Sequence, residues 1–402
     1  MSERHQGAVV AERRPRVESI DVVRGAVMVL MALDHVRVFS GVPAGGPTAA
    51  VFLTRWVTHF CAPAFFLFAG TSAYLRGTPA GEPSLTRWLW TRGLVLVALE
   101  LTIIRFAWTF NLDYADYMLA GVIWSLGWSM VLLSGLVKLP LPWVAGLGLG
   151  VIAGHHLIPM LLNGRTAAAL ATPAGPMLRM LYFGGPFATG GRAEPNFFVL
   201  YSLVPWLGVM CAGYALGPVM TSPPRTRRRW CAMAGAALVL AFLLLRGFEL
   251  YGDRPWTTPP GETPWAPAWI RFLATTKYPA SLQFLLMTLG PTLLALAALD
   301  GVHSRLTRSL AVFGRVPMFY YLLHLPLIHL VALAIAAVRT PAALPWLFTN
   351  HPMNPPEPPP GYMWPLALLY GVWLLVVCAL YWPCRWYADA KARRRWSWTR
   401  FI

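Results

Sequence analysis

The chain has 402 residues, of which 57% are hydrophobic and 12% charged, with a formal net charge of +17. A soluble domain carries about 25% charged residues, so this composition excludes an ordinary water-soluble globule. Apolar runs long enough to cross ~30 Å of hydrocarbon recur along the whole chain. On such a chain positive charge reads first as topology and not as nucleic-acid binding, because cytoplasmic loops collect Lys and Arg.

The expected architecture is an all-α polytopic membrane protein of about ten transmembrane helices, with both termini in the cytoplasm. A basic tail, 1–18, lacks the apolar core and small-residue cleavage site of a signal peptide. A helical membrane domain, 19–386, follows, and a second basic tail, 387–402, ends the chain. Spans are expected near 19–40, 51–75, 87–108, 117–137, 142–162, 196–218, 230–249, 278–300, 316–338 and 363–386. The cations support this order. Arg76, Arg87 and Arg92, then Lys138, then Arg225 and Arg227–Arg229, then Arg305, Arg308 and Arg315 all fall on the side of the two basic tails. The long loops on the other side are Pro-rich, as in YGDRPWTTPPGETPWAPAW and PWLFTNHPMNPPEPPPGYMW, and read as coil folded over the outer mouth. The 19 tryptophans and 14 tyrosines suit the headgroup zone. Cys61, Cys211, Cys231, Cys378 and Cys384 lie in or beside apolar runs, so neither a disulfide framework nor a Cys-x-x-Cys metal site is expected. An inner-membrane location follows from these features.

Ionisable residues inside a bilayer are costly and mark function by default. The first helix is the richest: S-I-D-V-V-R-G-A-V-M-V-L-M-A-L-D-H-V-R-V-F. Arg24 and His35 stand eleven residues apart, which is three turns plus about 20°. Both therefore share one face, about 16 Å apart along the axis. Asp34 precedes His35, and a carboxylate beside an imidazole raises its basicity and fixes its tautomer. The competing arrangement pairs Asp34 with Arg37, three residues on. In the second span, Pro63 cannot donate to the carbonyl of His59, so a kink is expected beside that histidine. Glu100 and Arg105 lie at similar depth, as do His155 and His156, and His324 and His329 flank Pro326. Arg37, Glu100 and His329 are the candidates for holding a substrate near the outer side. No His-x-x-x-His spacing appears and no metal is expected. On the inner side, P-P-R-T-R-R-R-W, with Arg228, and A-V-F-G-R-V-P, with Arg315, could hold phosphates of a nucleotide or of anionic lipid.

The strings S-I-D-V-V-R-G, M-A-L-D-H-V-R and T-H-F-C-A-P-A-F-F-L-F-A-G-T-S-A-Y-L resemble the bacterial membrane-protein family related to heparan-α-glucosaminide N-acetyltransferase. The Arg-Gly start, with a histidine eleven residues beyond the arginine, is also similar to the acyltransferase-3 family of the same superfamily. The resemblance implies an acetyl-CoA-dependent transmembrane acyltransferase. Acetyl-CoA would be the acyl donor, entering from the cytoplasm. A glycan, glycolipid or small acceptor with a hydroxyl or amine would wait outside. Carried over, catalysis falls on His35, with Asp34 and His59 beside it, and donor binding on Arg24, with Arg315 and Arg228. The lysosomal enzyme has its essential histidine in the first luminal loop. The matching position here falls near Ala49, in G-G-P-T-A-A, and holds none, which leaves His35 or His59. Membrane lipid, and a second copy in a homodimer, complete the expected partners, with no nucleic acid. The alternative reading is a proton-coupled transporter or a lipid or glycan flippase, since the same residues can relay protons.

Overall fold

The structure is a computed structural model in which residues 17–46, 48–80, 82–350 and 357–393 are described. Most of both basic tails, and with them the cations of 1–16 and of 394–402, lie outside the described residues. The long helices are α1 (Glu18–Phe39), α2 (Ala49–Trp56), α3 (Cys61–Ala80), α4 (Glu82–Leu99), α5 (Arg105–Thr109), α6 (Val122–Leu136), α7 (Leu141–Gly154), α8 (Leu203–Ala215), α9 (Pro224–Gly247), α10 (Leu282–Leu299), α11 (Arg305–Arg315), α12 (Pro317–Arg339) and α13 (Leu366–Ala392). A helix therefore occupies each of the ten predicted ranges. Six stretches are long and apolar enough to cross a membrane: Ala49–Gly77, Leu203–Thr221, Pro224–Gly247, Leu282–Leu299, Pro317–Arg339 and Leu366–Ala392. The helices α6 and α7 are apolar but short, and α1 carries Glu18, Asp21, Arg24, Asp34 and Arg37. The chain is a helical membrane protein.

Four predicted spans begin or end differently. The first residues of the ranges 117–137 and 196–218 are strands, β1 (Met118–Ala120) and β3 (Phe197–Val199), which pair in parallel. The strand β2 (Gly185–Phe187) pairs antiparallel to β3, giving the order β1-β3-β2. Their aromatic and branched side chains favour the pleated conformation once a partner strand is beside them. The range 142–162 breaks after Gly154, where buried His155 turns toward Tyr182, with ring centroids 5.8 Å apart. The helix α10 starts only at Leu282, because Ser281 caps it by accepting from Phe284 N at 3.0 Å.

The central helix is α1, packed against α3, α10, α11, α12 and α13. Its closest neighbour is α11, an amphipathic helix not anticipated as a separate element. The two cross at Gly25 and Gly314, where an added Cβ would come within 1.8 Å of Leu310 O and of Asp21 O respectively. Only glycine permits that approach. At the basic end, Asp300 accepts from Arg227 Nη2 at 2.7 Å and Nε at 3.1 Å, and from Ser19 Oγ at 3.3 Å. This ties α1, α9 and the end of α10 together. At the other end, Tyr362 Oη donates to Phe39 O at 2.6 Å and Trp364 N to Ser40 O at 3.0 Å. The last Pro-rich loop is thus latched over the end of α1.

Candidate active site

The face of α1 that carries Arg24, Met28, Met31 and His35 lines two chambers inside the bundle. The larger, of about 210 Å³, begins at Arg24, Ser72, Trp88 and Arg92 and continues along Met28, Phe68, Leu96 and Met130 to Tyr321. The smaller, of about 30 Å³, is lined by Met31, Asp34, His35, Thr58, Tyr201 and Lys277. Phe65 and Val122 line both, and so stand between them. The expected break near Pro63 appears as a single 3-10 turn, Val57–Phe60, before α3 resumes at Cys61. That break lies beside Thr58 at the small chamber.

Arg24 is positioned by the glycine crossing. Its Nη1 donates to Gly314 O and its Nη2 to Ser72 Oγ, each at 3.3 Å. The indole of Trp88 lies between two more guanidiniums, Arg76 at 4.8 Å and Arg92 at 5.5 Å from its rings. Arg315 and Arg228 are exposed at the same end, outside the chamber.

His35 is held by a relay of hydrogen bonds. His324 Nδ1 lies 2.7 Å from Tyr321 O and 3.1 Å from Tyr320 O. A carbonyl can only accept, so Nδ1 of His324 carries the proton and its Nε2 is an acceptor. That Nε2 lies 2.6 Å from His35 Nδ1. His35 Nδ1 must then donate, which leaves the lone pair on His35 Nε2. The partners assign these tautomers, since hydrogens are not seen directly. Trp108 packs edge-on to the His35 ring, with centroids 4.8 Å apart.

Asp34 takes the competing arrangement. It accepts from Arg37 Nε at 3.0 Å and from Arg55 Nη1, so its carboxylate is committed to two guanidiniums and not to the imidazole. Arg37 also donates to Val42 O at 2.9 Å. Glu100 accepts from Ile123 N at 2.8 Å and Trp124 N at 3.1 Å. It caps the N-terminus of α6, where a carboxylate is favoured by unpaired N–H groups and the helix dipole. His329 stacks on Phe110 at 4.0 Å, lies 4.7 Å from the Phe39 ring, and has Nδ1 3.2 Å from Ala107 O. Arg37, Glu100 and His329, the candidates for holding the acceptor, line neither chamber. His59 is buried edge-on to Phe284 at 5.4 Å and also lines neither chamber. Among the described residues, no group of three or more His, Cys, Asp or Glu side chains could hold a metal ion.

The family model for "Heparan-alpha-glucosaminide N-acetyltransferase, catalytic" matches residues 16–250. The chain belongs to this family. The match spans α1 to α9 and carries Arg24, Asp34, His35, Phe65 and Arg92. No curated protein matches the chain. His324, Lys277 and the tyrosine Tyr278 lie past the matched residues of this heparan-α-glucosaminide N-acetyltransferase family member. Lys277 lines the small chamber, His324 is bonded to His35, and Tyr278 lies beneath Lys277; of these only His324 stands out in the sequence. Arg55, Trp88 and Arg92 were likewise left unassigned, and no spacing motif marks them.

Proposed function

We propose that this protein carries an acetyl or other short acyl group from cytoplasmic acyl-CoA to a hydroxyl or amine acceptor on the outer side of the membrane. Family membership supports membrane acetyl transfer. The observation that carries the finer reading is the pair of neighbouring chambers along α1 that share Phe65 and Val122 as walls. They set cationic groups at one end of α1 in line with an imidazole with a free lone pair near the other, with Phe65 and Val122 between. In this reading ten helices cross the bilayer and the basic end faces the cytoplasm.

Coenzyme A is a polyanion too large and too charged to cross. Arg24 and Arg92 hold its phosphates by charge-assisted hydrogen bonds, beside the Trp88 indole. The axial distance from Arg24 to His35, about 16 Å, matches the reach of an extended pantetheine arm. The methionines along the larger chamber adapt to such a flexible chain. His35 Nε2 takes the acceptor's proton as its oxygen or nitrogen attacks the thioester carbon, and the imidazolium then protonates the departing thiolate.

The test uses purified protein in sealed vesicles, with labelled acetyl-CoA at the basic face and glucosamine-terminated glycans at the other. Label is expected on the glycan. His35→Ala is expected to lower transfer by about 10²- to 10⁴-fold while acetyl-CoA still binds. Transfer at the wild-type rate in that variant would overturn the assignment of His35.

A further inference from the structure

We propose that Lys277 is a catalytic residue, whose ammonium stabilises the oxyanion formed when the acyl carbonyl is attacked beside His35. This rests on the acyl-transfer reading above.

Lys277 is only 8% exposed, and among the described residues its Nζ makes no hydrogen bond or ion pair. Its neighbours are the faces of Tyr278, at 5.2 Å, and Tyr201, at 5.7 Å. Cation–π attraction holds the ammonium in place but leaves its three N–H donors unspent. Charge balance at the small chamber makes the same point. Asp34, the carboxylate that lines it, is already engaged by Arg37 and Arg55 and also feels Lys277, so one carboxylate faces three cations and the cluster stays positive. A buried excess of positive charge is costly and suits a place where negative charge arrives.

Size decides what arrives. The chamber holds about 30 Å³, roughly two water-sized volumes. His35 and Lys277 both line the same small space, so a group that enters it comes near both. The thioester carbonyl is the group that must enter for His35 to act. The lysine is also preorganised. The segment carrying it is fixed by Asp253, which accepts from Thr276 N at 2.9 Å, Thr276 Oγ at 2.6 Å and Ser281 Oγ at 2.6 Å. A fixed donor aimed at developing charge in a water-poor site is the arrangement that lowers such barriers.

The step balances as follows. The acceptor O–H or N–H passes its proton to His35 Nε2 while its heteroatom bonds to the thioester carbon. The carbonyl π pair moves to oxygen, and that negative charge faces the Lys277 ammonium. Collapse re-forms the carbonyl and breaks the C–S bond. The thiolate takes the proton from the His35 imidazolium, and Lys277 keeps its own throughout.

The experiment uses acetyl-CoA labelled with carbon-13 at the carbonyl, bound to the full chain in lipid nanodiscs in acceptor-free buffer. Difference infrared spectra should show the carbonyl stretch at lower frequency than in water. In Lys277→Met that shift is lost while acetyl-CoA still binds, and Lys277→Arg keeps part of it. Thiol release to water should fall on the order of 10²-fold in kcat, with KM little changed. Lys277→Gln serves as a second neutral variant should the methionine variant fail to fold. An unaltered stretch and unaltered kcat in the neutral variants would overturn the role of Lys277 and leave the transferase reading standing. Failure of the wild-type protein to bind acetyl-CoA would overturn both.

Discussion

His35 Nδ1 lies 2.6 Å from His324 Nε2, although 289 residues separate the two in the chain. The bond runs in one direction, because the far side of the His324 ring is spent on the carbonyls of Tyr320 and Tyr321. Nε2 of His35 is thereby kept unprotonated and ready to accept. His324 acts on the reaction through His35 and is a positioning residue.

Replacing His324 tests that relation. His324→Phe removes the acceptor and lets His35 adopt either tautomer. Transfer is expected to fall by about 10- to 100-fold, as when the orienting partner of a functional histidine is lost. The acid limb of the kcat/KM pH profile should move at the same time. His324→Gln, which can still accept from Nδ1–H, should recover part of the rate. A merely structural histidine would alter stability without moving the profile.

Arg24 and Arg228 separate chamber contact from surface charge. A charge-assisted hydrogen bond contributes about 1.5–3 kcal/mol. Arg24→Gln should therefore weaken acetyl-CoA binding by roughly 10- to 100-fold in isothermal titration. Arg228 is exposed outside the chamber, and Arg228→Gln should leave the affinity within about twofold at physiological salt, where surface charges are screened.

Glu100 should govern stability and not transfer. Glu100→Ala strands the N–H groups of Ile123 and Trp124 that the carboxylate now satisfies, at a cost of about 1–3 kcal/mol. Thermal unfolding in detergent should shift to lower temperature. Below the unfolding range, transfer per folded molecule should stay near wild type.

Gly25→Ala should do both kinds of damage. Its Cβ would meet Leu310 O at 1.8 Å, so α1 and α11 must separate. Such overpacking costs about 1–3 kcal/mol or more. Because Arg24 reaches Gly314 O across the same crossing, donor affinity should fall together with the unfolding temperature.

Much of the fold was legible because a bilayer leaves the backbone few choices. Most long apolar runs became helices, and the break near Pro63 appeared at His59 as expected. The strands were not legible. Met-Leu-Ala and Phe-Phe-Val are as apolar as the helices they precede, and only the pairing of β1 with β3, distant in the chain, decides their conformation. The site shows the same division. Arg24 and His35 share a face of one helix, so helical spacing alone places them together. Asp34 was the ambiguous case, and Arg55, brought in from the next segment, settled it in favour of the guanidiniums. His324 and Lys277 reach the site from α12 and from the Pro-rich loop before α10, and no local pattern relates either of them to His35.

The central claim is that the donor lies along α1, with its phosphates at Arg24 and Arg92 and its thioester at His35. A cryo-electron microscopy structure of the protein with acetyl-CoA tests it most directly. The account predicts density running through the larger chamber past Phe65, with the carbonyl carbon within contact of His35 Nε2. Acetyl-CoA bound elsewhere, with Phe65 and Val122 still closed between the two chambers, would contradict it.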